Sequence, residues 1–210
     1  MNIRYVLQTA ALAASLTLPL AANSITTTFA QNDSGSGAMF DLTIGTTGIT
    51  VNSLSVLDDA SSALTLDVYI KSGSYVGFDT TPAAWTLAST TAVPTGAGAT
   101  TPTNVTLTPF TLAAGQTYGI YVTFTTTVGG PEMLYTRGSN TYSNSNVTLS
   151  AGEGLNGLFG ATSVFPGRTW DGTINYTLAT SAVPEPTSLA LCALGAPGLL
   201  LLRRRYLRKY

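Results

Sequence analysis

The sequence predicts an all-β protein whose body is an antiparallel two-sheet sandwich, arranged as a jelly roll or another Greek-key fold. Apolar and polar residues alternate in segments such as 64–70 and 118–124, which is the two-residue period of a strand with one buried face. Clusters of Gly, Pro, Asn and Ser separate these segments at intervals typical of short strands. Thr is frequent, and its β-branched hydroxyl side chain suits the solvent face of such sheets.

Nine strands are expected between the two ends of the chain. The clearest are 64–70, 118–124 and 174–178, and the weaker candidates are 25–30, 38–44, 48–57, 84–91, 104–112 and 132–136. The segments expected to be turns or loops are 32–37, 93–102, 128–131 and 150–154. A run of short strands with frequent turns predicts a sandwich.

The segment before the strand at 118–124 gives a second indication of a Greek-key sandwich. Leu112, Gly115 and Tyr118 are spaced as in a tyrosine corner. In that motif a Tyr hydroxyl bonds to the backbone a few residues upstream, here near Ala114, and fixes the crossing between the sheets. The sequence therefore assigns Tyr118 a structural role.

Charge is sparse along the 210-residue chain and unevenly distributed. Hydrophobic residues make up 44% of the chain and charged residues 9%, which is enough apolar material for one sizeable core. In residues 25–182, three cations and nine acids give a net charge of about −6. Because this body has no basic stripe that could neutralise phosphates, nucleic-acid binding is excluded as its function.

The first 24 residues have the layout of a secretory signal peptide. Arg4 precedes an apolar run over about residues 10–20, and small residues follow it. Cleavage is expected near residues 22–24, and residues 28–30 form a rival site. An exported protein with Cys192 as its single cysteine has no internal disulfide.

Residue types exclude several classes of catalysis. The chain has no His and one Cys, so Ser-His-Asp or Cys-His nucleophiles and His-based zinc sites cannot be assembled. Two carboxylates suffice for glycoside hydrolysis, but nothing in the sequence pairs them. Asp58 and Asp59 are adjacent, while Glu132 and Glu153 each lie beside Gly or Pro. We therefore expect a non-enzymatic protein without a cofactor.

Calcium is the one metal that the sequence leaves open. Asp33 in the polar segment 32–37, Asp41, and the neighbouring Asp58 and Asp59 supply hard oxygen ligands. Their spacing matches no calcium loop, because Asp33 is not followed by carboxylates at the third and fifth positions of an EF-type loop. A flexible turn is therefore favoured over a calcium site at 32–37.

Aromatic residues indicate an alternative function, that of a secreted glycan-binding module with exposed Trp and Tyr. Tyr75 and Trp85 lie in an aromatic-rich segment, and Trp170 lies between Arg168 and Asp171 in what we expect to be a loop. Sugar-binding sandwiches use such rings as stacking platforms. Trp85, Trp170 and Tyr75 are thus the possible glycan contacts, and burial in the core is the competing interpretation for both Trp residues.

The C-terminal segment combines a polar motif, an uncharged stretch and a basic end. Residues 188–202 are uncharged and would span roughly 22 Å as a helix, against a hydrocarbon core of about 30 Å. Pro197 weakens that helix further. Arg203, Arg204 and Arg205 resist translocation and hold the end in the cytoplasm. These features favour a temporary transmembrane anchor, and a permanent anchor is the alternative.

This tail, with Pro184, Glu185 and Pro186 followed by the apolar stretch and the arginines, resembles the PEP-CTERM sorting signal over residues 183–210. The resemblance implies recognition by an exosortase, a membrane transpeptidase of Gram-negative, exopolysaccharide-producing bacteria that cleaves near the motif. The three motif residues would then be substrate positions. Segments of the body, such as GAMFDLTI and AAGQTYGIYVT, are similar to a sandwich domain found in exported proteins with this tail, which brings no known ligand.

The expected organisation is a signal peptide at 1–24, a sandwich domain at 25–180 and a sorting tail at 181–210. The precursor would be anchored transiently in the inner membrane and would then reach the cell surface or extracellular matrix of a Gram-negative bacterium. Its expected partners are the exosortase, the membrane and exopolysaccharide, and its expected role is structural or adhesive.

Overall fold

The computed structural model describes residues 22–60, 63–93, 95–125 and 132–179. The chain divides after residue 178, and every described strand lies before that division. Within the described ranges no helix is long and apolar enough to cross a membrane. Most of the expected signal segment, and the sorting tail with its motif and basic cluster, lie outside the described residues.

Thirteen strands in the described part form two antiparallel sheets. Their bounds are β1 Ala22–Thr26, β2 Asp33–Gly35, β3 Gly37–Ile44, β4 Ile49–Val56, β5 Leu64–Ser72, β6 Thr86–Val93, β7 Thr103–Leu112, β8 Thr117–Phe124, β9 Met133–Arg137, β10 Thr141–Ser143, β11 Val147–Asn156, β12 Ser163–Trp170 and β13 Gly172–Leu178. Short 3-10 turns occupy Pro82–Ala84 and Leu158–Gly160. Sheet A has the order β1-β13-β4-β7. Sheet B has the order β2-β9-β12-β11-β3-β8-β5-β6, and β10 pairs with β11.

The two sheets pack face to face through alternate side chains of each strand. In β3, Phe40 and Leu42 point into the core between the sheets, whereas Met39 belongs to a separate cluster on the opposite face of sheet B. Ile174 and Tyr176 of β13 contribute to the core from sheet A. The all-β, two-sheet sandwich predicted from the two-residue period is confirmed.

Each of the nine predicted strands has a counterpart, but two predicted turns are wrong. Segment 150–154 lies within β11, and segment 32–37 contains β2. A Cβ at Gly152 would lie 2.0 Å from the carbonyl oxygen of Met39, and one at Gly154 would lie 2.4 Å from Cζ of Tyr135. Glycine is therefore required because a neighbouring strand or ring occupies the space of a side chain. The same segment holds a β-bulge in the pairing of β11 with β3.

Tyr118 forms the predicted corner where the chain crosses from β7 in sheet A to β8 in sheet B. The backbone N–H of Ala113 donates to the Tyr118 hydroxyl oxygen at 3.1 Å. In the segment that joins Ala113 to Tyr118, the backbone N–H of Gly115 donates to the carbonyl oxygen of Gly45 at 2.8 Å. The ring of Tyr118 is half-buried against the core. The hydroxyl thus ties the crossing to Ala113, one residue before the expected position.

Tyr118→Phe should lower the free energy of unfolding by about 1 kcal/mol without changing the fold, because it removes one hydrogen bond and keeps the ring. Urea denaturation followed by circular dichroism measures this difference. The matched control is Tyr142→Phe, which removes a hydroxyl that makes no hydrogen bond within the described part of the chain and should cost less. Equal effects of the two substitutions would contradict the structural role of the Tyr118 hydroxyl.

Candidate interaction surface

The three residues expected as glycan contacts are buried. Trp170 is 1% exposed, Trp85 8% and Tyr75 9%. Trp170 lies at the end of β12 and not in a loop, and its ring stacks on Phe40 inside the core with a centroid distance of 5.2 Å. A stacking platform for sugars needs an exposed ring face. Burial of both Trp residues agrees with the interpretation that they fill the core, and the glycan-binding alternative loses the exposed rings on which it rested.

Trp85 and Tyr75 belong to an apolar cluster on the face of sheet B that points away from sheet A. We call this the outer cluster; its buried members are Met39, Tyr75, Trp85, Tyr121, Leu155 and Phe159. The ring of Phe159 lies 5.0 Å from the rings of both Tyr69 and Tyr121. The indole N–H of Trp85 donates to the carbonyl of Phe78 at 2.9 Å. The sandwich therefore has a second, smaller core outside its two-sheet interior.

Phe159 closes the outer cluster from the turn between β11 and β12. Its backbone has φ of +53°, and it is the one non-glycine residue with positive φ among the described residues. Such a conformation costs on the order of 1–3 kcal/mol. Burial of the ring and the bond from its N–H to the Tyr121 hydroxyl, 3.2 Å long, offset that cost.

Exposed apolar side chains surround the outer cluster. Val76 is 66% exposed, Leu87 49%, Leu158 45% and Phe78 39%. The ammonium of Lys71 lies 3.9 Å from the centroid of the Phe78 ring, so a cation covers part of this rim. Exposed apolar residues beside a rigid floor offer a surface for contact with another molecule. They carry no group that could act as a nucleophile or a base.

Asp33 holds two of the three cations of the body at one edge of sheet B. The Nε–H groups of Arg137 and Arg168 each donate to the same oxygen of Asp33, both at 2.9 Å. Although partial burial raises the pKa of Asp33, the hydrogen bonds and positive charges of the arginines lower it below the usual value. Asp33 therefore links β2, β9 and β12, and its carboxylate is already engaged by cations.

The other expected calcium ligands also accept hydrogen bonds from the chain itself. Asp41 accepts from the Ser74 hydroxyl at 2.6 Å, and Asp59 accepts from the backbone N–H of Glu132 at 2.6 Å. Asp58 is fully buried and accepts from the Thr103 hydroxyl at 2.6 Å. In the described ranges, no three acidic, Cys or His residues group in a way that could hold a metal ion.

Asp171 and Glu153 have raised pKa values, and Asp171 is buried whereas Glu153 is partly buried. Asp171 is fully buried and accepts from the Thr136 hydroxyl at 2.9 Å. Burial raises its pKa to about 6, although the hydrogen bonds from Thr136 and from the backbone of Ala30 act in the opposite direction. Burial also raises the pKa of Glu153, with the charge of Asp79 as a smaller cause. Glu132 accepts instead from the Ser34 hydroxyl, so the two glutamates have different surroundings.

Comparison with known proteins gives no family for this chain: no protein-family model and no curated protein matches it. Among solved structures, that of the infectious bursal disease virus Gt strain is 14% identical over 96% of this chain and 55% of that chain, with a TM-score of 0.24. The VP2 subviral particle of infectious bursal disease virus is 13% identical over 89% and 47%, with a TM-score of 0.21. The chain spans about half the length of these proteins, and similarity at this level carries no inference.

Proposed function

We propose that this chain is an exported, non-enzymatic surface protein, which an exosortase sorts through the C-terminal tail to the cell surface or exopolysaccharide matrix of a Gram-negative bacterium. The observation that carries the proposal is the order of features in the tail: Pro184-Glu185-Pro186, then the uncharged residues 188–202, then Arg203-Arg204-Arg205. The arginines and the apolar stretch determine topology. The Pro-Glu-Pro motif is rigid and polar and adds nothing to insertion, which leaves it free to be a recognition sequence.

The proposal includes a helical signal segment at the N-terminus and a short transmembrane helix within 188–202. Because Ala22, Asn23 and Ser24 pair with β13 as part of β1, the signal segment is proposed to end before Ala22 and not at residue 24. The signal segment directs export, and the short helix holds the precursor in the inner membrane until the motif is cut. A helix that is short for the bilayer and contains Pro197 is suited to a temporary anchor.

We also propose that the body is a jelly roll with an insertion. Eight strands alternate between the sheets along the chain, except that β5 and β6 follow each other in sheet B; β1, β4, β7 and β13 lie in sheet A and β3, β5, β6 and β8 in sheet B. Two interleaved Greek keys have this alternation. Strands β9 to β12, which lie between β8 and β13 in the chain, extend sheet B beyond β3 together with β2.

The arrangement of carboxylates in the body supports a structural or adhesive role. Asp33 accepts from two arginines, Asp58 from Thr103, and Asp171 from Thr136. Carboxylates that accept hydrogen bonds from the chain's own side chains connect separate strands and stabilise the fold. A stable fold is what a displayed or matrix protein requires of its body.

Mass spectrometry of the protein released from the surface of its native host tests the proposal. The mature protein should lack residues 203–210, because cleavage near Pro184-Glu185-Pro186 removes everything after the motif. It should also lack the signal segment. Peptides that cover Leu207 to Tyr210 in the mature material would show a permanent anchor and would overturn the sorting proposal.

A further inference from the structure

Charged residues are absent from sheet A. None of its four strands contains Asp, Glu, Lys or Arg, and all four are fully described. The strands of sheet B carry seven charged residues: Asp33, Asp41, Asp67, Lys71, Arg137, Glu153 and Arg168. Protein surfaces ordinarily mix charges of both signs, so a four-stranded sheet without any charge is a distinct feature.

The solvent side of sheet A is a registered array of hydroxyl and amide side chains. Its inward positions, such as Ile25, Ile174, Leu54 and Val105, belong to the core, so the alternate positions face outward. Strand pairing aligns these positions in three rows. The rows are Thr26, Thr173, Ser55 and Asn104; Ser24, Asn175, Ser53 and Thr106; and Thr177, Thr50 and Thr111. We call these eleven residues the hydroxyl face.

Side-chain hydrogen bonds between strands hold parts of the hydroxyl face in place. The hydroxyls of Thr26 and Thr173 lie 3.0 Å apart, and the Ser55 hydroxyl donates to the amide oxygen of Asn104 at 2.6 Å. Sheet geometry spaces neighbouring strands by about 4.8 Å and the first two rows by about 6.7 Å. Register shifts in the pairing of β4 with β7 and with β13 lie between the second row and the third. Because threonine is also stiff at χ1, little side-chain entropy remains to be lost when a ligand binds.

We propose that the hydroxyl face is a contact surface for a neutral polysaccharide of the matrix; this inference rests on the proposed function and names the ligand class and the site. Hydroxyl and amide groups donate and accept hydrogen bonds, as sugar hydroxyls do. An anionic polymer would find no cation on this sheet and would be repelled by a body with a net charge of about −6, from three cations and nine acids in residues 25–182. Protein partners usually need Trp, Tyr or Arg anchors, which these positions lack.

The hydroxyl face would bind a polysaccharide through many weak contacts along the repeating polymer. Each hydrogen bond that replaces a bond to water gains little by itself. A regular array on one side and a repeating chain of hydroxyls on the other allow several contacts at once, so that avidity replaces a deep pocket.

Co-sedimentation tests the proposal, with full-length protein in detergent micelles and three probes. The probes are the neutral and acidic fractions of the native host's exopolysaccharide, separated by anion exchange, and cross-linked dextran as a defined neutral polymer. The wild type should bind the neutral fraction in preference to the acidic one. Replacing Thr106 and Thr173 together by Asp should weaken that binding about tenfold or more, because the new charges lose water on contact.

A second variant with Lys at positions 106 and 173 separates neutral from anionic ligands. The proposal requires Lys to weaken binding as Asp does. The matched control is Thr86→Asp with Thr141→Asp, which places the same charges on exposed threonines of sheet B and should leave binding unchanged. Unchanged circular dichroism spectra would show that all the variants fold.

Three results would overturn the inference. The wild type could fail to bind the neutral fraction, or the Lys variant could bind the neutral fraction as tightly as the wild type does. The Asp variant could instead change only the oligomeric state, which would make the face an interface between copies of the chain. Failure of the sorting proposal is visible separately. Glu185→Ala should leave polysaccharide binding unchanged, and the hydroxyl-face variants should leave processing of the tail unchanged.

Discussion

Gly152→Ala should destabilise the body by about 3 kcal/mol or more, which is a large fraction of the stability of a typical domain. The added methyl carbon would lie 2.0 Å from the carbonyl oxygen of Met39 and 2.9 Å from its carbonyl carbon. Both atoms are backbone, so no rotation of a side chain relieves the contact. The pair of strands β3 and β11 would have to separate in the middle of sheet B, with loss of ladder hydrogen bonds. Thermal and urea unfolding of the purified protein measure the change.

Ser150→Ala, two residues earlier in β11, is the matched control. It leaves the backbone contact intact and removes only a partly buried hydroxyl, so its effect should be within about 1 kcal/mol. A melting temperature of Gly152→Ala that equals the control would show that β3 and β11 can part at little cost. The bulge would then not depend on glycine.

Glu185→Ala should leave an uncut, membrane-held precursor, with an effect on release that is close to complete. The substitution removes the charged residue of the Pro-Glu-Pro motif and leaves the apolar stretch and the basic cluster unchanged. Insertion depends on those two features and should proceed normally. Membrane fractionation and mass spectrometry of the native host's protein measure the ratio of precursor to mature chain.

Neutral replacements of Arg203, Arg204 and Arg205 form the complementary variant. These replacements should weaken retention of the precursor in the membrane and allow the short helix to be translocated across the bilayer, because the cations that oppose translocation are lost. If Glu185→Ala were processed as efficiently as the wild type, Pro184-Glu185-Pro186 would be a linker. If the arginine variant behaved like Glu185→Ala, topology and recognition would not be separate properties of the tail.

Sequence periodicity predicts strands best where one face of the strand is buried and the other is wet. All nine predicted strands meet that condition at least in part, and each has a counterpart in the structure. β11 does not, because Gly152 and Gly154 interrupt its pattern where a neighbouring strand and ring come close. A single sequence does not distinguish a glycine in a turn from a glycine beside another backbone.

The surfaces of the body were harder to predict than its strands, because exposure depends on packing between distant segments. Trp170 follows a Gly-Arg-Thr segment typical of a loop, yet it points into the core. The exposed rim residues Val76 and Leu158 are ordinary apolar residues in the sequence. The lack of charge in β1, β4, β7 and β13 is visible in the sequence, but only the strand order joins these four segments into one face.

The position of β13 has a mechanical consequence. It is the last strand before the tail, and it pairs with β1 on one side and with β4 on the other. A pull on the chain beyond Leu178, directed along the strand, would shear both ladders at once instead of peeling bonds one after another. If the body is tethered through its C-terminus, a force from flow or traction would therefore load many hydrogen bonds of both ladders at the same time. The body should then resist mechanical unfolding.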